Sequence, residues 1–485
     1  MEGPAVSTPE SSKEELDVFR QIQALLAEYL VQARDPLTPV VDYLEPASLA
    51  KRFDFSLPET GATNAALPAL VRDYLEHSVR SANPRFFNQL FGGFLLPGVV
   101  GEHVAAVTNT SMYTYECAPM ATLMEAAVVE EMARLVGFTK GEGLLVTGGS
   151  NANLVAMNAA RHRARPEVKS QGGSGQAPLV AFVSDQAHYS FEKAVALMGI
   201  GTQNLWRVAT DADGAMRPEA LAESIKDCRE KGFEPFFVGA TSGTTVCGAF
   251  DPLPTLAEIC AEEQLWLHVD GSWGGSVALS QQHRHLIQGS ANADSMTWNP
   301  HKMMGLPLPC SAILFRQAGT LAEVHGVGGT EYLFHDHDSL PDLGPLSLQC
   351  GRRVDALKLW LAWRCLGTDG FTRRIDHLFG LCQQARERVC QEPRLELMRE
   401  PISVNLVFRY RPLGVSCEDE LDRVNVSLRR ALHHRGLALV NYATVDGAQV
   451  FRLVFANGDQ SAADVRRFFD DLLDCARDLI EPQIS

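Results

Sequence analysis

The chain has 485 residues, of which 46% are hydrophobic and 21% are charged. This balance is typical of folded globular proteins and excludes a disordered chain. The formal net charge of -16, from 43 Lys and Arg against 59 Asp and Glu, disfavours a surface that binds nucleic acid or an anionic membrane. The length exceeds one ordinary core, so we expect two or three packed units.

Several kinds of segment and site are also not expected from this sequence. No stretch approaches the roughly 18 apolar residues of a membrane span. The eleven cysteines are scattered, a pattern that supports neither a zinc site nor a disulfide framework. Residues 1–16 are polar and acidic and lack the features of a secretory signal or a transit peptide. We therefore expect a cytoplasmic protein without a bound metal.

The N-terminal part, residues 1–80, is predicted to form a helical arm. We expect residues 1–16 to be disordered, whereas residues 19–33 (FRQIQALLAEYLVQA) carry helical periodicity. The Pro-flanked segment 46–55 (PASLAKRFDF) is interpreted as a connection.

From about Gly143 the pattern changes to short apolar runs, each followed by a helical stretch. The runs predicted as strands are GLLVT (143–147), LVAFVS (179–184), FFVGA (236–240), WLHVD (266–270) and SMTW (295–298). Such alternation indicates an α/β domain with a mostly parallel sheet wrapped by helices, predicted over residues 81–369. Ligands of such sheets bind beyond the carboxyl ends of the strands. Residues 370–485 alternate helices and strands differently and predict a small α+β domain.

Lys302 carries the strongest local signal, because Asn299-Pro300-His301-Lys302 directly follows the strand SMTW. An amine at a strand end inside a core is driven toward its neutral, nucleophilic form. Taken alone, Lys302 would be interpreted as an exposed loop lysine.

Asp270 ends the strand WLHVD, where a carboxylate can hold the protonated nitrogen of a pyridine ring. Taken alone, it would equally be a helix cap. The turn Thr147-Gly148-Gly149-Ser150 joins a strand to a helix and forms a corner suited to an anion. His188, just beyond another strand, can stack on a flat heterocycle or serve as a structural residue. Together, these signals lie at strand ends that converge in space.

The same residues lie in longer motifs that resemble the group II pyridoxal 5'-phosphate (PLP) decarboxylases, in the branch of the glutamate, cysteine sulfinate and aspartate decarboxylases. The resemblance runs from about Ala82 to Asn457. The motifs are NPRFFNQLFGG (83–93), NTSMYTYECAP (109–119), TGGSNAN (147–153), SDQAHYS (184–190), GTTVCGAFDP (243–252), HVDGSWGG (268–275), NPHKMMG (299–305), QCGRRVDALKLWLAW (349–363) and FRLVFAN (451–457). This resemblance implies fold type I of PLP enzymes, with PLP as the cofactor and decarboxylation as the reaction.

The resemblance also implies roles for individual residues. Lys302 would bind the cofactor covalently, Asp270 would pair with its ring nitrogen and His188 would stack on the ring. The remaining residues that would contact the cofactor are Gly149, Ser150, Thr245, Ser272, Asn299 and His301. Gln89 and Arg452 would bind the substrate α-carboxylate.

Tyr332 matches the mobile-loop tyrosine with which such enzymes protonate the substrate carbon, and a buried structural tyrosine is the alternative. His325, His335 and His337 lie nearby but in no metal-binding pattern, so we interpret them as solvated loop residues. The resemblance further implies a homodimer with the active site at the subunit boundary.

Two positions depart from the usual pattern of the family. Ser272 stands where most members have Ala, which leaves the catalytic rate open. Phe91 stands where the glutamate enzymes have Ser and the cysteine sulfinate enzymes have Phe, and a bulky ring there would shorten the pocket. We therefore predict a decarboxylase of L-cysteine sulfinate (to hypotaurine) or L-aspartate (to β-alanine). The alternatives are a glutamate decarboxylase that makes 4-aminobutyrate, an aminotransferase on the same fold, and a degenerate relative without activity.

Overall fold

A computed structural model describes residues 9–173, 175–329, 333 and 342–479 of the chain. The helices are α1 (Pro9–Arg34), α2 (Pro46–Arg52), α3 (Leu67–His77), α4 (Leu96–Thr108), α5 (Pro119–Leu135), α6 (Gly149–Ala164), α7 (Val168–Gln171), α8 (Ser190–Leu197), α9 (Pro218–Glu230), α10 (Leu253–Glu262), α11 (Thr320–His325), α12 (Asp355–Gln391), α13 (Glu418–His434) and α14 (Ala462–Leu479). The strands are β1 (Glu142–Val146), β2 (Leu179–Ser184), β3 (Leu205–Val208), β4 (Glu234–Thr241), β5 (Trp266–Gly271), β6 (Ser295–Trp298), β7 (Ser311–Phe315), β8 (Leu395–Leu397), β9 (Asn405–Tyr410), β10 (Asn441–Val445) and β11 (Ala448–Val454).

The larger sheet has seven strands in the order β1-β7-β6-β5-β4-β2-β3. The pairs from β3 through β2, β4 and β5 to β6 are parallel, whereas β7 runs antiparallel to both β6 and β1. This topology confirms the predicted α/β fold with a mostly parallel sheet. β3 and β7 were not predicted, because their apolar runs LWRV and SAILF are only four and five residues long, and LWRV is interrupted by an arginine.

The central strands are apolar without alternation because both of their faces are covered. Every residue of β2, β5 and β6 is buried, as expected for a parallel sheet between helical layers. Helix α6 packs against strands β4 to β7, and its small buried residues Ala152, Ala156 and Ala159 allow that close approach. The central strands are thereby fixed, and with them the positions of their carboxyl ends.

The C-terminal part forms a four-stranded antiparallel sheet in the order β10-β11-β9-β8. Helix α13 packs on this sheet, and α14 packs on α13. Helix α12 is kinked at Gly367, whose φ of 65° breaks the helical conformation. Its N-terminal half packs on α4 and α5, and its later part contacts β8, β9 and α14, so α12 connects the two sheets.

Two predictions for the N-terminal part are wrong. Residues 9–16, expected to be disordered, belong to helix α1, and residues 46–52, interpreted as a connection, form helix α2. In α2, Pro46 occupies the first helical turn, where its missing N–H costs nothing, and Ala, Leu, Lys and Arg follow, all good helix formers. In the part of the chain that the structure describes, no helix combines the length and apolar character that crossing a membrane requires.

A buried ion pair between Glu125 and Arg352 fixes the start of the sheet. Their side chains are 3% and 4% exposed. Glu125 also accepts the backbone N–H of Leu145 in β1 at 2.9 Å, and Arg352 donates to the carbonyls of Leu145 at 3.0 Å and Met112 at 3.2 Å. The pair therefore joins α5, β1 and the segment before α12.

Replacing Arg352 with Ala is expected to lower the free energy of unfolding by about 3–5 kcal/mol, because it leaves the Glu125 carboxylate buried and unpaired. Urea unfolding measures this loss. Arg353→Ala is the matched control, since Arg353 pairs with Glu102 at the surface, where such a pair contributes about 1 kcal/mol or less. If the two substitutions lowered the free energy of unfolding equally, the Glu125–Arg352 pair would not have the stabilising role assigned to it.

Candidate active site

The carboxyl ends of the central strands surround a cavity of about 280 Å³, which we call the strand-end cavity. It receives segments that follow β1, β2, β4, β5 and β6. The residues that line it are Leu90, Thr147, Gly148, Gly149, Ser150, His188, Tyr189, Thr241, Gly243, Thr245, Asp270, Ser272, Trp273, Asn299, His301, Lys302, Leu308 and Pro309. All nine residues that the sequence assigned to cofactor contact are among them.

One end of the cavity is a cradle of backbone N–H groups at the N-terminus of α6, an arrangement that suits an anion. Gly148 precedes the helix with φ 153°, a conformation that favours glycine, and the first backbone N–H groups of the helix belong to Gly149 and Ser150. A Cβ atom on Gly149 would lie 2.6 Å from Ser272 Oγ and 2.7 Å from Asn299 Nδ2. The buried Asn299 Oδ1 has no partner among the described residues. Because Gly149 has no side chain, Ser272 Oγ and Asn299 Nδ2 can lie close to the start of α6 at this end of the cavity.

Asp270 is a buried carboxylate at the end of β5. Its Oδ2 accepts a hydrogen bond from Asn153 Nδ2 at 2.8 Å, and its Oδ1 accepts one from the backbone N–H of Ser272 at 3.1 Å. Burial alone would raise the pKa of Asp270, but the side chains of Ser272 and Asn153 and the charge of Lys302 outweigh burial and lower it. The carboxylate is therefore held in its ionised form.

Lys302 follows β6 and places its amine in the same cavity. Burial lowers the pKa of this amine, and the negative charge of Asp270 opposes the shift. Among the described residues, its Nζ has no hydrogen-bond partner. A lysine whose pKa is lowered and whose amine is not engaged elsewhere is suited to attack an aldehyde.

His188 and His301 complete the polar lining. Nδ1 of His188 accepts the backbone N–H of Ser190 at 3.2 Å, and burial lowers the pKa of His188. Nδ1 of His301 lies 2.7 Å from the Cys310 carbonyl oxygen, which anchors the ring, and burial lowers its pKa to about 4. Backbone contacts thus fix both rings at the cavity.

Arg452 lies directly behind the cavity wall, in β11. Its Nη1 donates to the carbonyl of Thr245 at 3.1 Å and its Nη2 donates to that of Asn88 at 2.8 Å. The side chain is buried, and no acidic residue in the described ranges pairs with it. Because a guanidinium has five N–H donors, donors remain, including the Nε group, which has no partner among the described residues.

Like Arg452, the other two predicted substrate residues are not among those that line the cavity. Gln89 is exposed. The Phe91 ring packs against Phe86 with a centroid distance of 5.9 Å, in a small apolar cluster with Val40, Val41 and Leu439. Leu90 is the residue of this segment that lines the cavity. The cavity formed by this chain therefore gives no support to the prediction that Phe91 shortens the pocket.

The loop predictions have mixed outcomes. Tyr332, His335 and His337 lie outside the described residues. His325 was interpreted as a solvated loop residue, and this is wrong: it ends helix α11, is partly buried and places Nδ1 2.8 Å from the Leu346 carbonyl oxygen. The short helix was missed because its six residues are too few to show periodicity.

Sequence reasoning also missed three residues that support the site. Asn153 and His268 form a hydrogen-bonded pair behind Asp270, with His268 Nε2 3.0 Å from Asn153 Oδ1. Asn405 accepts a hydrogen bond from Trp273 Nε1 at 2.8 Å and donates to the Thr245 carbonyl at 3.2 Å. Asn153 and His268 stand within the quoted motifs TGGSNAN and HVDGSWGG, which is a usable signal. Asn405 lies in the apolar strand β9, where no motif or spacing signals its role.

Comparison with known proteins bears directly on this site. Residues 46–411 match the family model described as the pyridoxal-dependent decarboxylase conserved domain. The chain belongs to this family. It is therefore a PLP-dependent decarboxylase.

The most similar relatives and structures cover nearly the whole chain of this decarboxylase. It is 39% identical over 452 residues to human cysteine sulfinic acid decarboxylase, covering 91% of this chain and 92% of that protein. It is 37% identical over 466 residues to mouse acidic amino acid decarboxylase GADL1, covering 94% and 85%. The crystal structure of mouse CSAD matches with a TM-score of 0.93 and 37% identity, covering 98% and 100%. The structure of Oryza sativa TDC with PLP and tryptamine matches with a TM-score of 0.89 and 25% identity, covering 98% and 100%.

The strand-end cavity of this decarboxylase fits PLP in its chemistry. The Gly149 cradle suits the phosphate end of the cofactor, because the backbone N–H groups of the helix N-terminus and the Asn299 Nδ2 group can donate to it. The ionised Asp270 suits a protonated ring nitrogen, and the unengaged Lys302 amine suits an aldehyde. These features lie in one cavity, as binding of one molecule requires.

Gly149→Ala is expected to weaken PLP binding by at least about tenfold, equal to about 1.4 kcal/mol, because the added methyl displaces Ser272 Oγ and Asn299 Nδ2. Titration of the apoprotein with PLP, followed by visible absorbance, measures the dissociation constant. Gly173→Ala is the control, since a Cβ there meets nothing within 4 Å. Equal affinities of the two variants would show that the cradle does not hold the cofactor.

Proposed function

We propose that this protein removes the α-carboxylate of a short acidic amino acid as CO2, acting on L-cysteine sulfinate, L-aspartate or both. The products are hypotaurine and β-alanine. The observation that carries the proposal is the placement of Lys302 and Asp270 in one cavity, with the uncompensated cation of Arg452 bonded to its wall. The names of the human and mouse relatives, which specify cysteine sulfinic acid and acidic amino acids, support the same substrate class.

The cavity residues divide by the part of PLP that each would hold. Lys302 would bind the cofactor covalently, Asp270 would hold its ring nitrogen, and His188 would pack on the ring. Thr245 would lie beside the ring, and Gly149, Ser150, Ser272, Asn299 and His301 would surround the phosphate. When bound, the cofactor supplies an electron sink for the bond that breaks.

Arg452 would orient the substrate α-carboxylate. Its guanidinium is held by two main-chain carbonyls, so its position is fixed before substrate enters, and its unused N–H groups can bind a carboxylate. The positive charge also attracts an acidic substrate into a protein of net charge -16. Gln89 would contribute a second contact.

Tyr332 would return a proton to the substrate carbon after CO2 leaves. A tyrosine hydroxyl has the chemistry for this transfer. This assignment rests on the resemblance of the segment VHGVGGTEYLFHD to the mobile loop of the family. The same resemblance implies that the loop of one subunit serves the site of its partner.

We propose that the protein forms a homodimer, because one face of α4 is apolar and exposed. Gly98, Gly101 and Ala105 face the protein interior. On the other side, Leu96, Val100, Val104 and Val107 are 60%, 44%, 41% and 72% exposed. Their spacing of three and four residues forms one stripe, and exposed stripes of this kind mark protein contacts.

Val104→Asp is expected to shift the protein toward monomers, because it buries a charge in the proposed contact. Sedimentation velocity measures the change. Leu413→Asp, at a 74% exposed apolar residue far from α4 in sequence, should leave the assembly unchanged. A wild-type monomer, or a variant dimer as stable as wild type, would contradict the proposed contact.

All eleven cysteines of the chain are free thiols, and five of them are buried. This state is compatible with a reducing compartment. We therefore propose a cytoplasmic location.

The substrate is tested by the rate of CO2 release from cysteine sulfinate, aspartate and glutamate at matched subsaturating concentrations. We expect one of the two shorter substrates to be at least about tenfold faster than glutamate, because a further methylene must fit a cavity of about 280 Å³ that also holds the cofactor. Lys302→Ala supplies the background rate. Faster release from glutamate would favour the glutamate decarboxylase alternative, and keto-acid formation without CO2 would show an aminotransferase.

A further inference from the structure

A chain of buried polar side chains runs from Asp270 away from the cavity. Asn153 Nδ2 donates to Asp270 Oδ2 at 2.8 Å, and Asn153 Oδ1 lies 3.0 Å from His268 Nε2. His268 Nδ1 lies 2.9 Å from Ser295 Oγ, which accepts from Trp266 Nε1 at 2.8 Å. We call these five residues the Asp270 support chain. Each of them is at most 5% exposed.

The donors and acceptors along this chain have one consistent arrangement. The ionised Asp270 carboxylate can only accept, so Asn153 turns its NH₂ group toward Asp270 and its Oδ1 toward His268 Nε2. His268 Nδ1 is left to accept from Ser295 Oγ, which itself accepts from the indole N–H of Trp266. His268 is then neutral and carries its proton on Nε2, which donates to Asn153 Oδ1. Thr297 Oγ1 donates to the same oxygen at 2.8 Å.

This arrangement holds the Asn153 amide in that orientation. With its oxygen held by two donors, its NH₂ group is left to donate to Asp270 and to Ser190 Oγ, at 2.8 and 2.9 Å. The reversed amide would place an oxygen against the Asp270 carboxylate and an NH₂ group against two donors. Such an arrangement leaves several buried polar groups unsatisfied, which is costly.

The surroundings of His268 favour the neutral ring that this arrangement needs. His268 is completely buried, and the rings of Phe237 and Phe191 lie against it at centroid distances of 5.8 and 6.1 Å. Burial lowers the pKa of His268 to about 4, with Asp270 opposing the shift. The imidazole is therefore neutral at physiological pH.

We propose that His268 is a positioning residue: its Nε2–H fixes the Asn153 amide, which in turn holds the Asp270 carboxylate toward the strand-end cavity. Its effect reaches the reaction through Asp270, and it does not touch the cofactor or the substrate. The inference rests on the proposed role of Asp270 at the cofactor ring.

The test compares His268→Leu with His268→Gln, whose side-chain NH₂ replaces the Nε2–H donor. Two properties of the holoprotein are measured: the PLP dissociation constant and the pH dependence of the visible absorbance of bound PLP. In His268→Leu, affinity should fall at least tenfold and the absorbance profile should shift toward that of Asp270→Asn. In His268→Gln, both should stay close to wild type, within about threefold in affinity.

Phe237→Leu controls for packing, because it removes a ring that lies against His268 and no hydrogen bond of the Asp270 support chain. It should lower the thermal midpoint while the absorbance profile stays as in wild type. If His268→Leu does not fold, Asn153→Leu tests the same step and should give the same shift. A wild-type profile and affinity in these variants, with a clear change in Asp270→Asn, would overturn the role of His268. No change in Asp270→Asn itself would instead overturn the role of Asp270.

Discussion

The placement of the Asp270 carboxylate and the Lys302 amine in one cavity is the constraint on which the rest of the site depends. Each group is costly to bury alone as an ion, and each favours the charge of the other. At Asp270, two hydrogen bonds and the Asp270 support chain stabilise the ionised form of the carboxylate more than burial destabilises it. At Lys302 burial outweighs the attraction of Asp270, so the amine moves toward its reactive neutral form. One cavity thus holds a fixed negative charge and a nucleophile.

Sheet topology places these two groups side by side. β5 and β6 are parallel neighbours, with Asp270 opposite Thr297 and Gly271 opposite Trp298. The residues that follow β6 therefore emerge beside the end of β5. The first turn of α6 reaches the same edge after β1, and Arg452 approaches from the second sheet through the Thr245 carbonyl. The large sheet supplies the residues proposed to hold the cofactor, and the small sheet supplies the cation proposed for the substrate.

The residues at the strand ends could be predicted from the sequence because each of them is indicated by its immediate neighbours along the chain. Strand-end positions such as Asp270, Lys302 and His188 can be inferred from an apolar run and the polar residue after it, and parallel topology then brings them together. The Phe91 prediction depended on which way a ring points within an irregular segment, and no periodicity fixes that. The pairing of Asn405 with Trp273, and that of Arg352 with Glu125, joins residues more than a hundred positions apart, so spacing carries no information about either. His325 was misassigned because its helix has only six residues, which is less than two turns.

Borohydride reduction of the holoenzyme, followed by digestion and mass-spectrometric mapping of the peptide that retains the cofactor, tests the position of the active site most directly. The cofactor should remain on the peptide that contains Lys302. Attachment to another lysine, or to none, would contradict the assignment of the strand-end cavity as the active site.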